Sequence, residues 1–299
     1  MDSGATPCSC SFEHPKKLRD VNVMANLALI GKGTYGAVYK ALDSSNGSYV
    51  ALKMIKMEKE TQGFPVTALR EIKILKLLKH ENIVNLKEIV TYDGNDKNTE
   101  YKKEGFVRGD VFMVLDYVDN DLAGLLESPQ VQLTDEYIQC YMKQILDGIF
   151  FIHNNKILHR DIKTANILVT KDNQIKIADW GLARSYNSSE TSHKYTNPVV
   201  TLWYRAPELL LGLREYGFAI DIWSIGCVFA EMKCKGAIFR GKDEAEQLQL
   251  IYQICGSPSA EVLELYKKFP SYEKIQVTGE FEKSFKTKFP TYVFSFVRL

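Results

Sequence analysis

HRDIKTANILVTKDNQIKIADWGLAR, residues 159–184, is the stretch that decides the fold. Its middle predicts a β-hairpin, because an apolar run at Ile167–Thr170 and an alternating run at Ile175–Ala178 flank a polar turn at Lys171–Gln174. A hairpin brings the residues at its open end together. The residues just outside the two runs are therefore the first candidates for a shared site.

Two oxygen-bearing side chains lie at that open end. Folding about the centre of the turn places Asn166 opposite Asp179. Mg²⁺ prefers oxygen ligands such as their amide and carboxylate oxygens, and it often binds the phosphates of a substrate at the same time. Asp161 lies upstream as a candidate base, with Lys163 between it and Asn166. Any one such residue more often caps a turn. The whole set, His-Arg-Asp-x-Lys-x-x-Asn followed by Asp-x-Gly, favours phosphoryl transfer.

Length and composition limit the possible classes of protein. The 299 residues allow one large domain or two packed lobes, and a net charge of +1 gives no reason to expect nucleic-acid or membrane binding. The first residues lack the pattern of a secretory signal, and no apolar run reaches membrane-spanning length. The six cysteines have no Cys-x-x-Cys spacing, which favours reduced thiols in the cytosol or nucleus.

A glycine-rich segment, Ile30–Gly36, precedes the hairpin by more than a hundred residues. A lone G-x-G-x-x-G also occurs in dinucleotide-binding folds, where the last glycine opens a helix. Here an Asn46-Gly47 turn and a second strand-forming run, Tyr49–Ile55, follow instead. Strand, glycine loop, strand, turn and strand would place the loop over the phosphates of a nucleotide. The alternation of the last strand directs Lys53 to the same site.

A helix is predicted over Pro65–His80, which begins with proline and continues with good helix formers. Glu71 lies at the edge of its apolar stripe and is able to swing inward to pair with Lys53. Without that lysine, a surface charge would be the default interpretation of Glu71. The inward stripe consists of Ala68, Ile72, Leu75 and Leu78.

The remaining segments alternate between polar connections and apolar elements. Thr91–Asp110 is polar and predicts a surface insertion before a strand at Val111–Leu115, and Asp116–Asp121 predicts a connector between lobes. A helix is expected after Thr134, with an inward stripe of Ile138, Met142, Ile145, Ile149 and Ile152. Two more helices are expected at Asp221–Met232 and Glu244–Cys255.

From about residue 24 to residue 270 the chain resembles the eukaryotic protein kinases, and within them the cyclin-dependent kinases. The motifs are GTYG at Gly33–Gly36, PVTALRE at Pro65–Glu71 and YTNPVVTLWYRAPE at Tyr195–Glu208. LLES after NDLAG, and the long insertion, look most like the transcription-elongation branch. Members of that branch phosphorylate the carboxy-terminal repeats of RNA polymerase II.

The resemblance implies an α+β, bilobal protein-kinase fold. It divides the chain into a flexible extension (1–20), an N-lobe with an antiparallel sheet and one main helix (21–115), a hinge (116–121) and a mostly helical C-lobe (122–299). The resemblance fades after Tyr272. The C-lobe is therefore expected to be incomplete, without the arginine that pairs with the residue equivalent to Glu208 in this family.

The resemblance also assigns roles to residues. Asp161 becomes the catalytic base and Lys163 a γ-phosphate contact, with Thr201 in the same catalytic set. Asn166 and Asp179 become Mg²⁺ ligands, and Lys53 and Glu71 a paired switch. The implied ATP-binding residues are Ile30, Gly31, Lys32, Gly33, Thr34, Tyr35, Gly36, Val38, Ala51, Lys53, Leu115, Asp116, Tyr117, Val118, Asp121, Lys163, Asn166, Leu168 and Asp179.

Regulation and specificity follow from the same resemblance. Thr196 matches the activating phosphorylation site, and Thr34 and Tyr35 match inhibitory ones. Leu115 is a smaller gatekeeper than the usual Phe, and Trp180 replaces the Phe of Asp-Phe-Gly. The remaining matches are the phosphate clamp of Arg70, Arg160 and Arg184, and the proline-preference pair Val200 and Arg205.

The implied protein is a nuclear serine/threonine kinase, with a cytoplasmic pool possible, that uses ATP and Mg²⁺ on Ser/Thr-Pro sites. A cyclin would dock on the Pro65–His80 helix, and RNA polymerase II is the candidate substrate. Direct contact with nucleic acid or membrane is not expected. The alternative is a shortened kinase that binds a cyclin or a nucleotide without turnover.

Overall fold

The computed structural model describes residues 18–33, 36–56, 64–94, 101, 103–186, 195, 200–275 and 277–284. The chain forms two compact units, one of residues up to Met57 with Lys87–Leu115, the other of Glu58–Leu86 with Asp116 onward. The lobe boundaries inferred from the resemblance stay a prediction. The second unit includes the first long helix, whereas the resemblance assigns that helix to the N-lobe.

The first unit is built on a six-stranded sheet of order β1-β5-β6-β4-β3-β2. The strands are β1 (Arg19–Asp20), β2 (Met24–Gly33), β3 (Gly36–Asp43), β4 (Ser48–Ile55), β5 (Leu86–Thr91) and β6 (Val111–Asp116). The β2–β3 and β3–β4 pairs are antiparallel, and β1 runs parallel to β5. The predicted strand–loop–strand–turn–strand order is therefore confirmed.

The insertion between β5 and β6 corrects the sequence interpretation. A surface segment was expected, but Tyr101 is 0% exposed and Phe106 is 7% exposed. The Tyr101 hydroxyl donates to the Val21 carbonyl over 2.7 Å, and the Phe106 ring lies 5.3 Å from that of Tyr39. The polar segment therefore contains three buried aromatic residues, Tyr92, Tyr101 and Phe106, which anchor it to the core. Since these anchors show neither helical nor strand periodicity, the pattern did not reveal them.

The second unit is mostly helical. Its helices are α1 (Val66–Leu77), α2 (Leu122–Glu127), α3 (Asp135–Asn154), α4 (Pro207–Leu210), α5 (Ala219–Cys234), α6 (Glu244–Cys255) and α7 (Ala260–Tyr266). Its short strands are β7 (Asn120–Asp121), β8 (Ile157–Leu158), β9 (Ile167–Val169), β10 (Ile175–Ile177) and β11 (Arg184–Ser185). The predicted stripe of α3 is buried throughout. On α1, Ile74 is buried and the predicted Ile72 is only half-buried.

The predicted hairpin forms, but its register was wrong by one residue. Strands β9 and β10 pair Ile167 with Ile177, so the Ala178 amide donates to the Asn166 carbonyl over 2.9 Å. The strands end at the pair Val169 and Ile175, so residues 170–174, an odd number, form the turn. Asn173 within this turn adopts a left-handed φ of 60°. Such loops add a bulge that an evenly folded turn lacks. Asp179 therefore lies one residue beyond the partner of Asn166.

Candidate active site

The start of the catalytic loop, residues 159–166, is fixed by a carboxylate from α5. Asp221 is 1% exposed, and its oxygens accept the backbone N–H groups of His159 at 3.0 Å and Arg160 at 2.9 Å. The ring Nε2 of His153 lies 2.9 Å from the same carboxylate. Buried amides need such acceptors. Helix α5 therefore sets where the loop begins.

His159 joins the loop to the segment that carries Asp179. Its Nδ1 accepts the Asp161 amide at 3.3 Å, and its Nε2 donates to the Ala178 carbonyl at 3.1 Å. The Trp180 ring packs edge-on against the imidazole, with centroids 4.7 Å apart. Trp180 is 2% exposed, and its indole N–H has no hydrogen-bond partner among the described residues. The aromatic residue that replaces the Phe of Asp-Phe-Gly therefore packs against the loop.

Asp161 lies at the centre of a cluster of donors. One carboxylate oxygen accepts Lys163 Nζ at 2.9 Å and Asn166 Nδ2 at 3.0 Å. The other accepts the Thr201 hydroxyl at 3.1 Å, and Lys163 Nζ also reaches that hydroxyl at 3.1 Å. Asp161 is 6% exposed. The structure thus brings together Asp161, Lys163 and Thr201, the predicted catalytic residues of the large lobe, with the predicted metal ligand Asn166 beside them.

Asn166 and Asp179 suit a hard cation as far as their donor atoms go. The Asn166 amide nitrogen donates to the Asp161 carbonyl at 2.8 Å and to its carboxylate. That orientation leaves the Asn166 side-chain oxygen with no donor among the described residues. Asp179 is half-buried with a left-handed φ of 60°. One amide oxygen and one carboxylate match the two-ligand sets that Mg²⁺ completes with water and phosphate.

The predicted nucleotide residues of the first unit share one face of its sheet. Val38 pairs with Lys53, whereas the alternate residues Val50 and Leu52 belong to the aromatic core on the other face. Lys53 is 9% exposed. The same alternation places Ala51 and Leu115 on the Lys53 face.

The glycine loop is described at both ends. Ile30, Gly31, Lys32 and Gly33 lie on β2, and Ile30 is half-exposed. Gly36 has a φ of 140°, and a Cβ there would lie 2.1 Å from the Met54 carbonyl oxygen. Glycine is therefore required at this position. Thr34 and Tyr35 lie outside the described residues.

The predicted hinge residues belong to the second unit, and two of them already have partners. The Asp116 amide donates to the Asn85 carbonyl at 3.1 Å, so this amide is not offered to a nucleotide. Asp121 accepts the Gly124 amide at 2.8 Å as the N-cap of α2, and it pairs with Leu168 in the β7–β9 register. Tyr117 and Val118 are half-buried between them.

The predicted partner of Lys53, Glu71, lies on α1 and is 5% exposed.

Arg160 and Arg184 lie near one tyrosine. Arg160 is 0% exposed and donates to the Leu182 carbonyl and the Tyr216 hydroxyl, both at 2.8 Å. Its remaining nitrogen, Nη2, has no hydrogen-bond partner in the described part of the chain. Burial raises the pKa of Tyr216, and the charges of Arg160 and Arg184 oppose that rise. Arg70 lies half-buried on α1, and Thr196 is outside the described residues.

Val200 has a strained backbone that Arg205 holds. A φ of 67° is unusual for a β-branched residue. Arg205 donates to the Val200 carbonyl from Nε at 3.3 Å and from Nη2 at 3.1 Å, and its Nη1 pairs with Glu244 at 3.1 Å. Burial lowers the pKa of Arg205, and Glu244 partly offsets this.

Sequence reasoning missed the polar anchors on α5. The sequence predicted a helix at Asp221–Met232 but no role for its acids, yet Asp221 holds the loop start and Glu231 accepts the Tyr204 hydroxyl at 2.6 Å. Two acids within an otherwise apolar helix were a usable signal, because buried acids need specific donors. Among the described residues, no helix is long and apolar enough to cross a membrane, and no cluster of three or more metal-binding side chains is found.

Comparisons with known proteins agree with this geometry. The protein kinase domain family matches residues 24–287. Human cyclin-dependent kinase 9 is 46% identical over 92% of this chain and 72% of its own length. The Arabidopsis thaliana cyclin-dependent kinase C-2 is 49% identical over 86% of this chain, which spans only about half of that relative.

A solved structure gives the same result. The crystal structure of the yeast RNA Pol II CTD kinase CTDK-1 complex matches with a TM-score of 0.77 and 38% identity, over 95% of this chain and 85% of that one. A matched domain covering most of the chain and relatives of this similarity define the family. The chain belongs to the protein kinase family and, within it, to the cyclin-dependent kinases.

Proposed function

We propose that the chain is a cyclin-dependent serine/threonine kinase that transfers the γ-phosphate of ATP to Ser or Thr followed by Pro. The observation that carries the proposal is the cluster around Asp161, in which Lys163, Asn166 and Thr201 all donate to one buried carboxylate. A carboxylate held in place by three side chains is suited to accept a proton from a substrate hydroxyl.

Each residue of the cluster has a distinct task. Asp161 accepts the hydroxyl proton as the substrate oxygen attacks the γ-phosphorus. Lys163, which bridges Asp161 and the Thr201 hydroxyl, supplies positive charge where the transferred phosphoryl group gains negative charge. Asn166 and Asp179 would hold Mg²⁺, which neutralises phosphate charge. Asn166 also fixes the orientation of the base through its amide nitrogen.

The strained backbone at Val200 supports a preference for proline directly after the target Ser or Thr of the substrate. Arg205 occupies the Val200 carbonyl with two hydrogen bonds, so that carbonyl is not offered to a substrate amide. A substrate residue that lacks an N–H, namely proline, loses nothing at such a position. One relative is solved as an RNA Pol II CTD kinase complex, which makes the carboxy-terminal repeats of RNA polymerase II the candidate substrate and the nucleus the candidate location.

A partner on α1 is supported by the exposed face of that helix. Val66, Leu69 and Leu77 are 67%, 44% and 57% exposed, and their spacing places them on one side of α1. Glu71 is on the same helix but buried. A cyclin that covers the apolar side would set the position of Glu71. Cyclin binding would thereby control whether Glu71 forms its predicted ion pair with Lys53.

An activating phosphate is supported by Arg160. A buried guanidinium with one unpartnered nitrogen is costly, and a phosphate on Thr196, the residue that follows Tyr195 in the sequence, would satisfy it with a charge-assisted hydrogen bond. The Arg160 guanidinium already lies over the ring of Tyr195, 5.5 Å from its centroid. Phosphorylation would thus complete a site that is partly built.

The test is phosphate transfer from Mg-ATP to a Ser-Pro peptide by the chain with its co-purified cyclin. Asp161→Asn should lower the rate about 10²–10⁴-fold. The matched control is Asp172→Asn, in the exposed turn of the hairpin, which should transfer at the wild-type rate. Equal rates for wild type and Asp161→Asn would remove the assignment. A Ser-Ala peptide should be a poor substrate.

A non-catalytic binding module is the second candidate function. Burial raises the pKa of Glu208, and this half-buried carboxylate has no ion-pair partner among the described residues. An unpaired acid at the base of the substrate segment would weaken catalysis. Cyclin binding and stabilisation by ATP without any turnover would favour this candidate, and measurable turnover would exclude it.

A further inference from the structure

Thr164 lies inside the catalytic loop without a role in the cluster described above. It directly follows Lys163 and begins the 3-10 turn Thr164–Asn166. It is 2% exposed. Because it lies between Lys163 and Asn166 in the chain, a movement of Thr164 would displace two of the three side chains that donate to Asp161.

The Thr164 hydroxyl belongs to a buried three-membered network. It donates to Glu231 Oε1 over 3.3 Å and lies 3.1 Å from the Tyr204 hydroxyl. The Tyr204 hydroxyl donates to Glu231 Oε2 over 2.6 Å. Tyr204 is 5% exposed and Glu231 is 9% exposed. Both Glu231 oxygens are thus satisfied by neutral hydroxyl groups.

The network ties two separate segments of the chain to α5. Tyr204 ends the 3-10 turn Leu202–Tyr204, which follows Thr201, and its carbonyl accepts the Ser224 hydroxyl of α5 at 2.8 Å. Thr201 in turn donates to Asp161. The loop and the substrate-side segment are therefore held against the same helix, at Thr164 and at Tyr204.

Helix α5 holds the loop at two places. Asp221, near the start of the helix, accepts the amides of His159 and Arg160, whereas Glu231 lies ten residues further along and receives Thr164. Asp161 and Lys163 lie between the two attachments. A segment fixed at both ends has less freedom than one fixed at a single end, so the second attachment determines how well the base is positioned.

We propose that Thr164 is a positioning residue, through whose hydroxyl Glu231 and Tyr204 hold the catalytic loop in its reactive geometry. The proposal rests on the proposed kinase function. Thr164 itself touches none of the reacting groups. Its loss should therefore lower kcat while leaving the KM values for peptide and ATP within about twofold, because a small misplacement penalises the transition state.

The experiment compares Thr164→Val, which removes the hydroxyl but keeps the shape, with Thr164→Ser, which keeps the hydroxyl. Thr164→Val should lower kcat about tenfold, and Thr164→Ser should restore most of it. The control is Thr170→Val, which removes a hydroxyl that accepts the Gln174 amide in the hairpin turn at 3.0 Å. The control should keep the wild-type kcat.

A double-mutant cycle with Tyr204→Phe tests the network itself. If the two hydroxyls act through one carboxylate, the combined variant should lose much less than the product of the two single losses. A wild-type kcat for Thr164→Val would overturn the proposal. Equal losses for Thr164→Val and Thr164→Ser would also overturn it, since they would show that packing, and not the hydroxyl, matters.

A readout without turnover separates this proposal from the proposed function. The Asn166 amide donates to the Lys163 carbonyl at 3.0 Å, so its hydrogen exchange reports the order of the turn. Thr164→Val should speed that exchange at least several-fold, whereas Thr170→Val should not. If the wild-type complex transfers no phosphate, the kinase proposal fails. Unchanged exchange in Thr164→Val would then overturn the positioning role independently.

Discussion

Helices α1 and α5 both carry acids connected with the site, but they are covered very differently. On α5, Asp221 and Glu231 lie within a helix that is buried over most of its length, and each has donors from this chain. On α1, Glu71 is buried, while Val66 and Leu69 on the opposite side are exposed. Among the described residues, the acids of α5 therefore have their donors, whereas one side of α1 is apolar and exposed.

The difference separates a loop that the chain itself holds in place from an apolar helix face that we expect a partner to cover. The catalytic loop is held by hydrogen bonds to α5 that exist without any second protein. The helix that positions Glu71 keeps an apolar side in solvent, and a partner is able to cover that side. In the proposed kinase, this arrangement would give a base that the chain itself holds in place and a lysine–glutamate pair that a partner on α1 would control.

The largest effect is expected from breaking the α5 attachment at Asp221. In Asp221→Asn, one oxygen becomes an N–H donor that faces a buried backbone amide, so the free energy of unfolding should fall by about 3 kcal/mol or more. Urea denaturation gives the value. Asp172→Asn, in an exposed turn, serves as the control and should change it by less than about 0.5 kcal/mol. A small effect at Asp221 would show that the loop is fixed elsewhere.

Partner affinity, and not stability, should respond to a charge on α1. Leu69→Glu places a carboxylate in the apolar face of α1. Loss of a central interface contact costs about 2 kcal/mol of binding free energy, so the partner should bind about 30-fold more weakly. The partner is identified by mass spectrometry of the co-purified complex, and calorimetry gives the affinity.

The matched control for Leu69 is on α3. Leu146 is 43% exposed, close to the 44% of Leu69, so Leu146→Glu adds the same charge at a similar exposure away from α1. Its affinity for the cyclin should stay at the wild-type value. Equal losses for the two variants would show a general charge effect and remove the assignment of the α1 face.

The pH dependence of stability should distinguish Glu231 from an acid of the first unit. Burial raises the pKa of Glu231 above its usual 4.5, although Tyr204 and Thr164 oppose the rise. Its contribution to stability is therefore fully present below about pH 4.5 and is lost as the pH rises through the raised pKa. Glu231→Gln does not titrate, so wild type should lose stability relative to this variant over that range.

Asp43 should change the stability with pH in the opposite direction, because its pKa is lowered and not raised. Burial would raise its pKa, but hydrogen bonds from Arg19 and Ser45 outweigh burial and lower the pKa to about 2. Relative to Asp43→Asn, wild type should lose stability as the pH falls from about 3.8 through about 2.

Urea denaturation at pH 4–8 checks the prediction for Glu231. If the free energies of unfolding of wild type and Glu231→Gln change in parallel with pH, the raised pKa of Glu231 is contradicted.

Much of this arrangement could be predicted from the sequence, because the relevant signals are local. The hairpin at Ile167–Ile177 and the strand order around the glycine loop follow from alternation and turn residues. The cluster of Asp161, Lys163 and Asn166 follows from spacing within one loop. The register was wrong by one because the left-handed Asn173 adds a residue that composition does not reveal.

The remainder could not be predicted because it depends on contacts between distant segments. Thr164 and Glu231 are 67 residues apart, and Tyr101 meets Val21 across 80. Periodicity describes which side of an element is apolar, but not which distant hydroxyl meets a buried acid. These contacts are also the ones that separate α5, which is satisfied internally, from α1, which is not.

The smallest effect is expected at Leu77, the last exposed apolar residue of α1. Leu77→Ala removes a side chain that is 57% exposed, and alanine is at least as good a helix former, so the free energy of unfolding without the partner should change by less than about 0.5 kcal/mol. Leu75, two residues earlier, is 1% exposed, and Leu75→Ala should cost about 2–5 kcal/mol. If both substitutions destabilise the chain equally, then the chain itself already covers the outer side of α1. The contrast with α5 would then fail, since no apolar side would be left for a cyclin to bind.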